Sequence, residues 1–161
     1  MPYATLADVK RQLREHLMYK NILVAYDKSD HAREATRQAC ALANAFSSTL
    51  HIMHVPQLVG ESMVVGYNAI PLPPTAEEVE KASKDALAAA GKIATDNGVE
   101  TCLTEIGYGD PAGALVDYAA ANKIDLIVLG RRGLGSLTGL LIGSVTTKVC
   151  QLADCPVLTV K

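Results

Sequence analysis

The chain has 161 residues, a length typical of one domain. Hydrophobic residues make up 49% of it, which is enough to fill the interior of such a domain and excludes disorder as its main state. With 15 Lys and Arg against 17 Asp and Glu, the net charge of -2 disfavours a general nucleic-acid binder. One Phe, six Tyr and no Trp are also too few aromatic side chains for a surface that stacks bases.

The sequence predicts a cytoplasmic protein without a membrane contact. No apolar stretch reaches the length of about 18 residues that is needed to span a bilayer. Charged residues also interrupt the N-terminus where a secretory signal peptide would need a continuous apolar segment. The four cysteines have no CxxC spacing and lie mostly in apolar segments, which favours reduced, buried thiols over a disulfide or a metal site.

Residues 4–19 carry apolar side chains at the three- and four-residue spacing of an amphipathic helix. This pattern predicts an N-terminal helical extension over residues 1–19, followed by one α/β domain over residues 20–161. The extension is locally positive and could dock on an unknown protein partner. Packing on its own domain or subunit is the simpler interpretation.

From residue 20 onward, short apolar runs alternate with helical patterns. The runs predicted as strands cover residues 21–26, 50–55, 99–106, 125–130 and 156–161. A helix is predicted after each of the first four strands. The second helix opens with the capping box of Thr75 and Glu78, and the third with Asp110 as N-cap before Pro111. Alternating strands and helices imply a parallel sheet with helices on both faces.

Residues 56–74 form the longest predicted loop, because four prolines and two glycines make regular structure unfavourable there. The loop could be a lid over a site or a variable excursion. The helix that follows is predicted to bury one face of small and aliphatic side chains. That face consists of Val79, Ala82, Ala86, Leu87, Ala90 and Ile93.

A glycine-rich stretch after the fourth strand is a candidate ligand site. It covers residues 130–148 and contains basic but no acidic side chains, which favours an anion. At its end Gly143 precedes a helix whose free amides and positive dipole end can hold a phosphate, helped by the hydroxyls of Ser144 and Thr146. A loop that only closes the fold is the alternative. With the strand order 3-2-1-4-5, Asp27 lies beside this stretch at the reversal point of the sheet, where ligands bind; it could also cap a helix.

The stretch fits neither a Walker A loop nor the dinucleotide fingerprint GxGxxG. It does match Gly-x2-Gly-x9-Gly-Ser at Gly130, Gly133, Gly143 and Ser144. By this pattern the chain resembles the ATP-binding branch of the universal stress protein family. The resemblance covers residues 20–161 and includes NILVAYDKSD, HIMHVP, GDPAGALVDYA, DLIVLGRRG and PVLTVK. It implies one three-layer, Rossmann-like α/β domain with a five-stranded parallel sheet of order 3-2-1-4-5.

The resemblance also implies a nucleotide site. The residues implied for adenosine are Ala25, Tyr26, Asp27, Val55, Leu129 and Gly130, with Val55 contacting adenine through its backbone and Leu129 and Gly130 bordering the ribose. The residues implied for the phosphates are Arg132, Gly133, Gly143, Ser144, Val145 and Thr146. The implied cofactor is ATP, or AMP or ADP, with Mg²⁺ held through the phosphates and not by protein ligands. A homodimer through the C-terminal strand, residues 157–161, is implied as well.

These features favour an ATP-binding stress-response protein with a nucleotide-dependent regulatory role. The glycine-rich stretch has no Glu, His or Asp that could orient an attacking water, so slow hydrolysis at most is expected and no catalytic residue is predicted. His54, on an apolar strand, is interpreted as a hydrogen-bonded interior histidine. Two alternatives remain open: a weak ATPase or nucleotide transferase that uses Asp27, and an interaction module that binds no nucleotide.

Overall fold

The computed structural model describes residues 5, 18–57, 62–65, 68–71, 74–134 and 142–161. Most of the predicted N-terminal helix lies outside these residues. The strands are β1 (Asn21–Ala25), β2 (Thr49–His54), β3 (Ser62–Val65), β4 (Asn68–Pro71), β5 (Cys102–Ile106), β6 (Leu126–Gly130) and β7 (Val157–Val160). The helices are α1 (Asp30–Phe46), α2 (Ala76–Asp96), α3 (Pro111–Ala121) and α4 (Ser144–Leu152).

Five strands pair in parallel in the order β5-β2-β1-β6-β7, so the predicted strand order is confirmed. β1 lies at the centre, with Ile22 opposite both Leu50 of β2 and Leu126 of β6. The side chains of Ile22, Leu23 and Val24 are fully buried. A strand that is covered on both faces has no polar side, and this explains the continuous apolar run in the sequence.

Alternate side chains of the strands divide the core into two halves. On one face, Ile22 and Val24 belong to a cluster with residues of α1 and α2. On the other face, Leu23 and Ile127 pack with residues of α3 and α4. The described helices therefore flank the sheet two to a face, as the predicted three-layer architecture requires. Because α1 buries mainly alanines, it can lie close to the strands that it covers.

The starts of the helices follow the signals in the sequence. Glu78 N donates to Thr75 Oγ1 at 3.2 Å and Thr75 N donates to Glu78 Oε2 at 2.8 Å, which completes the predicted capping box of α2. Asp110 Oδ2 accepts from Gly113 N at 3.1 Å and caps α3 as predicted. α4 begins differently, because its N-cap Gly143 has no side chain and provides no side-chain cap.

The longest predicted loop contains regular structure that its composition did not indicate. β3 and β4 pair in antiparallel fashion, with Val64 opposite Ala69 and Ser62 opposite Pro71. The prediction of a segment without regular structure was therefore wrong for residues 62–65 and 68–71. Aliphatic residues in both segments favour strands, and a proline is tolerated at the end of a two-stranded ribbon because both of its strands are edges.

The prediction of the buried face of α2 was also wrong at one position. Ala82 is exposed, whereas Ser83 is fully buried. The Ser83 hydroxyl donates to the carbonyl of Val79 at 2.7 Å, and the buried Thr36 of α1 donates to Ala32 O at 2.8 Å in the same way. A hydroxyl that bonds to the preceding helical turn is satisfied without water, so a polar residue can occupy an interior position.

Three of the four cysteines are shielded, as predicted. Cys40 is fully buried, and burial raises the pKa of its thiol to about 11. Cys102 and Cys155 are half-buried, and burial raises the pKa of each thiol. The prediction was wrong for Cys150, because it lies on the solvent-exposed side of α4.

Two further features are absent from the described part of the chain. No helix there is both long enough and apolar enough to cross a bilayer. The same residues contain no group of three His, Cys, Asp or Glu side chains that could hold a metal ion.

Candidate functional site

The carboxyl ends of β1 and β6 meet at the point where the winding of the sheet reverses. The chain proceeds from β1 to β2 on one side and from β6 to β7 on the other, while β1 and β6 themselves are neighbours. Open α/β sheets bind ligands in the crevice that forms at such a point. Here the crevice holds a cavity of about 370 Å³, which is within the size range of small-molecule sites.

All twelve residues that were predicted to contact the nucleotide line this one cavity. They are Ala25, Tyr26, Asp27, Val55, Leu129, Gly130, Arg132, Gly133, Gly143, Ser144, Val145 and Thr146. They come from the ends of the three central strands, from the residues that follow β6 and from the first turn of α4. The structure thus brings the predicted set together, while the role of each residue toward a ligand stays a prediction.

The cavity has an apolar wall that sequence reasoning missed. The additional lining residues are Ala32, Met53, Gln57, Pro111, Leu115 and Leu134. Met53 and Leu115 belong to the core cluster between the sheet and α3. In the sequence, the signal for this wall is the glycine at position 107. In the structure a Cβ on Gly107 would lie 2.6 Å from Met53 Cε and 2.8 Å from Val55 Cγ2. The glycine therefore leaves space for side chains that line the cavity.

Asp27 connects the turn before α1 to the segment that follows β6. Its Oδ1 accepts from Ser29 N and its Oδ2 from Leu134 N, each at 3.0 Å. A Cβ on Gly133 would overlap the same Oδ2 atom, so the backbone approaches the carboxylate closely. The alternative role of Asp27 as the cap of α1 was wrong in detail, because Ser29 is the N-cap and accepts from Ala32 N at 3.1 Å.

We expect Asp27→Asn to lower the free energy of unfolding by about 1–2 kcal/mol. An amide has one accepting oxygen, so its NH2 group would oppose one of the two backbone N–H donors. Urea denaturation of the variant and the wild type measures the difference. Asp30→Asn is the matched control, because Asp30 is exposed and pairs with Arg33 at the surface, a contact that contributes at most about 1 kcal/mol. Equal losses in the two variants would contradict the structural role of Asp27.

The first turn of α4 presents unpaired backbone amides to the cavity. The amides of residues 144–146 have no acceptor within the helix, and the first helical bond is made by Thr147 N to Gly143 O at 2.9 Å. Together with the helix dipole, three such amides form a site for an anion. No side chain of the N-cap competes with a ligand there, since the N-cap is a glycine.

The two hydroxyls of this turn are not equivalent, although both were predicted to help hold a phosphate. Thr146 Oγ1 donates to the carbonyl of Gly130 at 2.9 Å, which joins α4 to the end of β6. Its proton is therefore already used. The Ser144 hydroxyl carries the remaining proton that could be donated to a phosphate from this turn.

The positive charge at the cavity comes from Arg132. Its Nε is buried and has no hydrogen-bond partner among the described residues, as is also true of Arg131 Nε. Arg131 does not line the cavity, and its backbone N donates to Val160 O of β7 at 2.6 Å. Lys148, the third cation of the glycine-rich stretch, pairs with Asp110 at 3.3 Å outside the cavity. The Arg132 guanidinium gives this end of the cavity a positive charge, which favours an anion.

His54 is confirmed as a hydrogen-bonded interior histidine. Its side chain is 8% exposed, and its Nδ1 donates to the carbonyl of Tyr26 at 2.7 Å. The imidazole therefore supports the backbone at the end of β1 and is not among the residues that line the cavity.

Comparison with known proteins identifies the family. The sequence model of the universal stress protein family matches residues 18–161. The chain belongs to this family. This universal stress protein is 37% identical over 144 residues to one from Thermus aquaticus, with 89% of this chain and 100% of that protein covered. It is 34% identical over 149 residues to the universal stress protein YxiE of Bacillus subtilis, with 89% of this chain and 100% of that protein covered.

Solved structures share the fold of this universal stress protein. A universal stress protein in complex with cAMP is 27% identical with a TM-score of 0.68, over 89% of this chain and 98% of that one. The universal stress protein of Archaeoglobus fulgidus in complex with dAMP is 26% identical with a TM-score of 0.62, over 90% and 100%. The predicted fold class is confirmed. The division into an extension (residues 1–19) and a domain (residues 20–161) stays a prediction.

Proposed function

We propose that this universal stress protein binds an adenine nucleotide, namely ATP, ADP or AMP, in the cavity and acts as a nucleotide-dependent regulator of a cytoplasmic stress response. The observation that carries the proposal is the arrangement of donors at one end of the cavity. The open first turn of α4 lies there together with the positively charged side chain of Arg132. The complexes of two solved relatives with cAMP and dAMP support adenine as the base.

The remainder of the cavity suits the rest of a nucleotide. Met53, Val55 and Leu115 provide an apolar wall for a flat base, while donors for the phosphates come from α4 and Arg132. Mg²⁺ bound to the phosphates would neutralise part of their charge. We propose that the phosphates carry this ion, because Asp27 is the one carboxylate among the described lining residues and both of its oxygens accept backbone N–H groups.

The same engagement of Asp27 favours retention of the nucleotide over turnover. Two of its roughly four lone-pair sites accept backbone N–H groups, which fixes the carboxylate against the turn, and the described lining residues include no second carboxylate that could act as general base. We therefore propose hydrolysis that is slow at most. The alternative of an ATPase that uses Asp27 makes a different prediction for protein incubated with ATP and Mg²⁺, because turnover would then be measurable and would disappear in Asp27→Ala.

Mass spectrometry of the small molecules released from freshly purified, heat-denatured protein tests the proposed function. We expect an adenine nucleotide in a substantial fraction of the protein, since a buried anion site is rarely left without an anion. Calorimetric titration of the emptied protein with AMP, ADP, ATP and GTP then gives the affinities, with and without EDTA. Absence of released nucleotide together with no heat of binding for any adenine nucleotide would refute the proposal.

We further propose that β7 pairs two copies of the protein. β7 is an edge strand. The carbonyls of Pro156, just before the strand, and of Val160 accept hydrogen bonds from β6 and from the residue after it. The backbone N–H and C=O of Thr159, which lies between them, therefore point away from the sheet. We expect a dimer in sedimentation equilibrium at micromolar concentration and a shift toward monomer in Thr159→Pro, which lacks one edge N–H. A wild-type protein that sediments as a monomer at micromolar concentration would remove the dimer.

A further inference from the structure

A second hollow adjoins the nucleotide cavity. It has a volume of about 450 Å³ and is open to solvent. Residues 28–31, at the turn before α1 and its first turn, form one wall, and residues 132–134 form the other. Because residues 132–134 line both spaces, only this short segment separates them. A ligand that fills the first cavity therefore needs little additional length to reach the second.

The hollow offers several donors to an anion. Lys28, His31 and Arg132 line it, and each of these side chains can donate a hydrogen bond to an anion. The ammonium of Lys28 makes no ion pair with any side chain in the described part of the chain. Asp30 is the one carboxylate among the described residues of the lining, and Arg33 Nη1 donates to it at 2.9 Å, which offsets its negative charge.

The backbone of Lys28 has an unusual conformation for a lysine. Its φ is +70°, a left-handed conformation that glycine and asparagine adopt more readily than lysine. The Asp27 carboxylate, which accepts from Ser29 N, holds the turn in this conformation. The Lys28 ammonium lies on the wall of the hollow without an ion-pair partner among the described residues, so it can bind an anion.

We propose that this second hollow is a subsite for an additional phosphoryl group of a nucleotide that is bound in the first cavity. The inference rests on the proposed function. The additional group could extend the 5′-phosphate chain or be carried by the ribose, since either route leads along residues 132–134. In both cases Lys28, His31 and Arg132 would meet the same chemistry, a doubly charged phosphoryl group that accepts several hydrogen bonds.

Calorimetric titration with four nucleotides tests the subsite: AMP, ATP, adenosine 5′-tetraphosphate and adenosine 3′,5′-bisphosphate. We expect the tetraphosphate to bind about fivefold to tenfold more tightly than ATP, or the bisphosphate more tightly than AMP by the same factor. Whichever shows the gain identifies the route. In Lys28→Asn, which keeps a residue suited to the left-handed backbone, the gain should fall at least about threefold while AMP affinity is unchanged. Lys81→Asn, on the exposed side of α2, is the charge-matched control and should behave as the wild type.

The outcomes separate this inference from the proposed function. If AMP and ATP both fail to bind, the proposed function is refuted and the subsite with it. If they bind but neither larger nucleotide binds more tightly, the proposed function stands and the subsite is refuted. A gain that is equal in the wild type and in Lys28→Asn also overturns the subsite, because the additional phosphoryl group then lies elsewhere.

Discussion

The variant Gly143→Val is expected to bind ATP at least about 100-fold more weakly than the wild type while remaining folded, since two or more hydrogen bonds to charged phosphate oxygens are lost. The backbone at Gly143 has φ of -72° and ψ of 157°, which valine adopts readily. A Cβ there would lie 3.5 Å from Arg131 O and from Arg132 Cα, an ordinary contact. The fold therefore accepts a Cβ at this position, and the two methyl groups of valine would add bulk at the open first turn of α4.

Calorimetric titration with ATP measures this loss, and thermal unfolding verifies that the variant is folded. Gly91→Val is the matched control: a Cβ on Gly91 meets nothing within 4 Å, and the position is remote from the cavity on α2. It should bind ATP as the wild type does. Unchanged ATP affinity in Gly143→Val would contradict a phosphate site at α4. If neither the wild type nor Gly143→Val binds ATP and the two proteins otherwise behave alike, the result would support the alternative of an interaction module that binds no nucleotide.

The second large effect concerns stability. Gly130→Ala is expected to lower the free energy of unfolding by about 2–3 kcal/mol, because overpacking in a close-packed interior forces the backbone to move. A Cβ on Gly130 would lie 2.9 Å from Ala32 N, His31 C and His31 Cβ. None of these atoms is the end of a flexible side chain. The start of α1 would have to shift away from β6, although its alanine face packs closely there.

Gly107→Ala provides a discriminating comparison for this prediction. Its Cβ would approach other atoms even more closely, at 2.6 Å and 2.8 Å, but these are the methyl ends of Met53 and Val55. The methionine side chain rotates away at low cost, whereas the Val55 methyl is held by a stiff χ1 torsion and must shift a little, so we expect a loss of about 1 kcal/mol. Urea denaturation of both variants ranks them. A larger loss in Gly107→Ala than in Gly130→Ala would show that the rigidity of α1 against β6 has been overestimated.

The sequence was sufficient to predict the framework of this protein because the decisive signals are local. Thr75 with Glu78 and Asp110 with Pro111 mark the starts of helices through hydrogen bonds that span three residues. Continuous apolar runs mark strands that are covered on both faces. The rule for open α/β sheets then assigned the ligand site to the end of β1 and β6 at which the structure has a cavity.

The features that were missed depend on contacts between segments distant in sequence. Thr146 was expected to donate to a phosphate, but its partner is Gly130, sixteen positions away, at the end of β6. Met53 and Leu115 meet in one wall only after β2 and α3 pack together. Ala82 and Ser83 are neighbours in the sequence, and hydrophobic spacing alone does not show which of two small side chains is the buried one. The pairing of β3 with β4 was hidden by prolines that a two-stranded ribbon tolerates.

The hydrogen bond from Arg131 N to Val160 O has a consequence for regulation. It ties the residue next to Arg132 directly to β7, the strand proposed to join two copies of the protein. If a bound nucleotide repositions this segment, it changes the energy of subunit pairing. Thermodynamic reciprocity then requires that subunit pairing change the nucleotide affinity by the same factor. The ratio of dimer to monomer would then depend on the adenylate concentration in the cell.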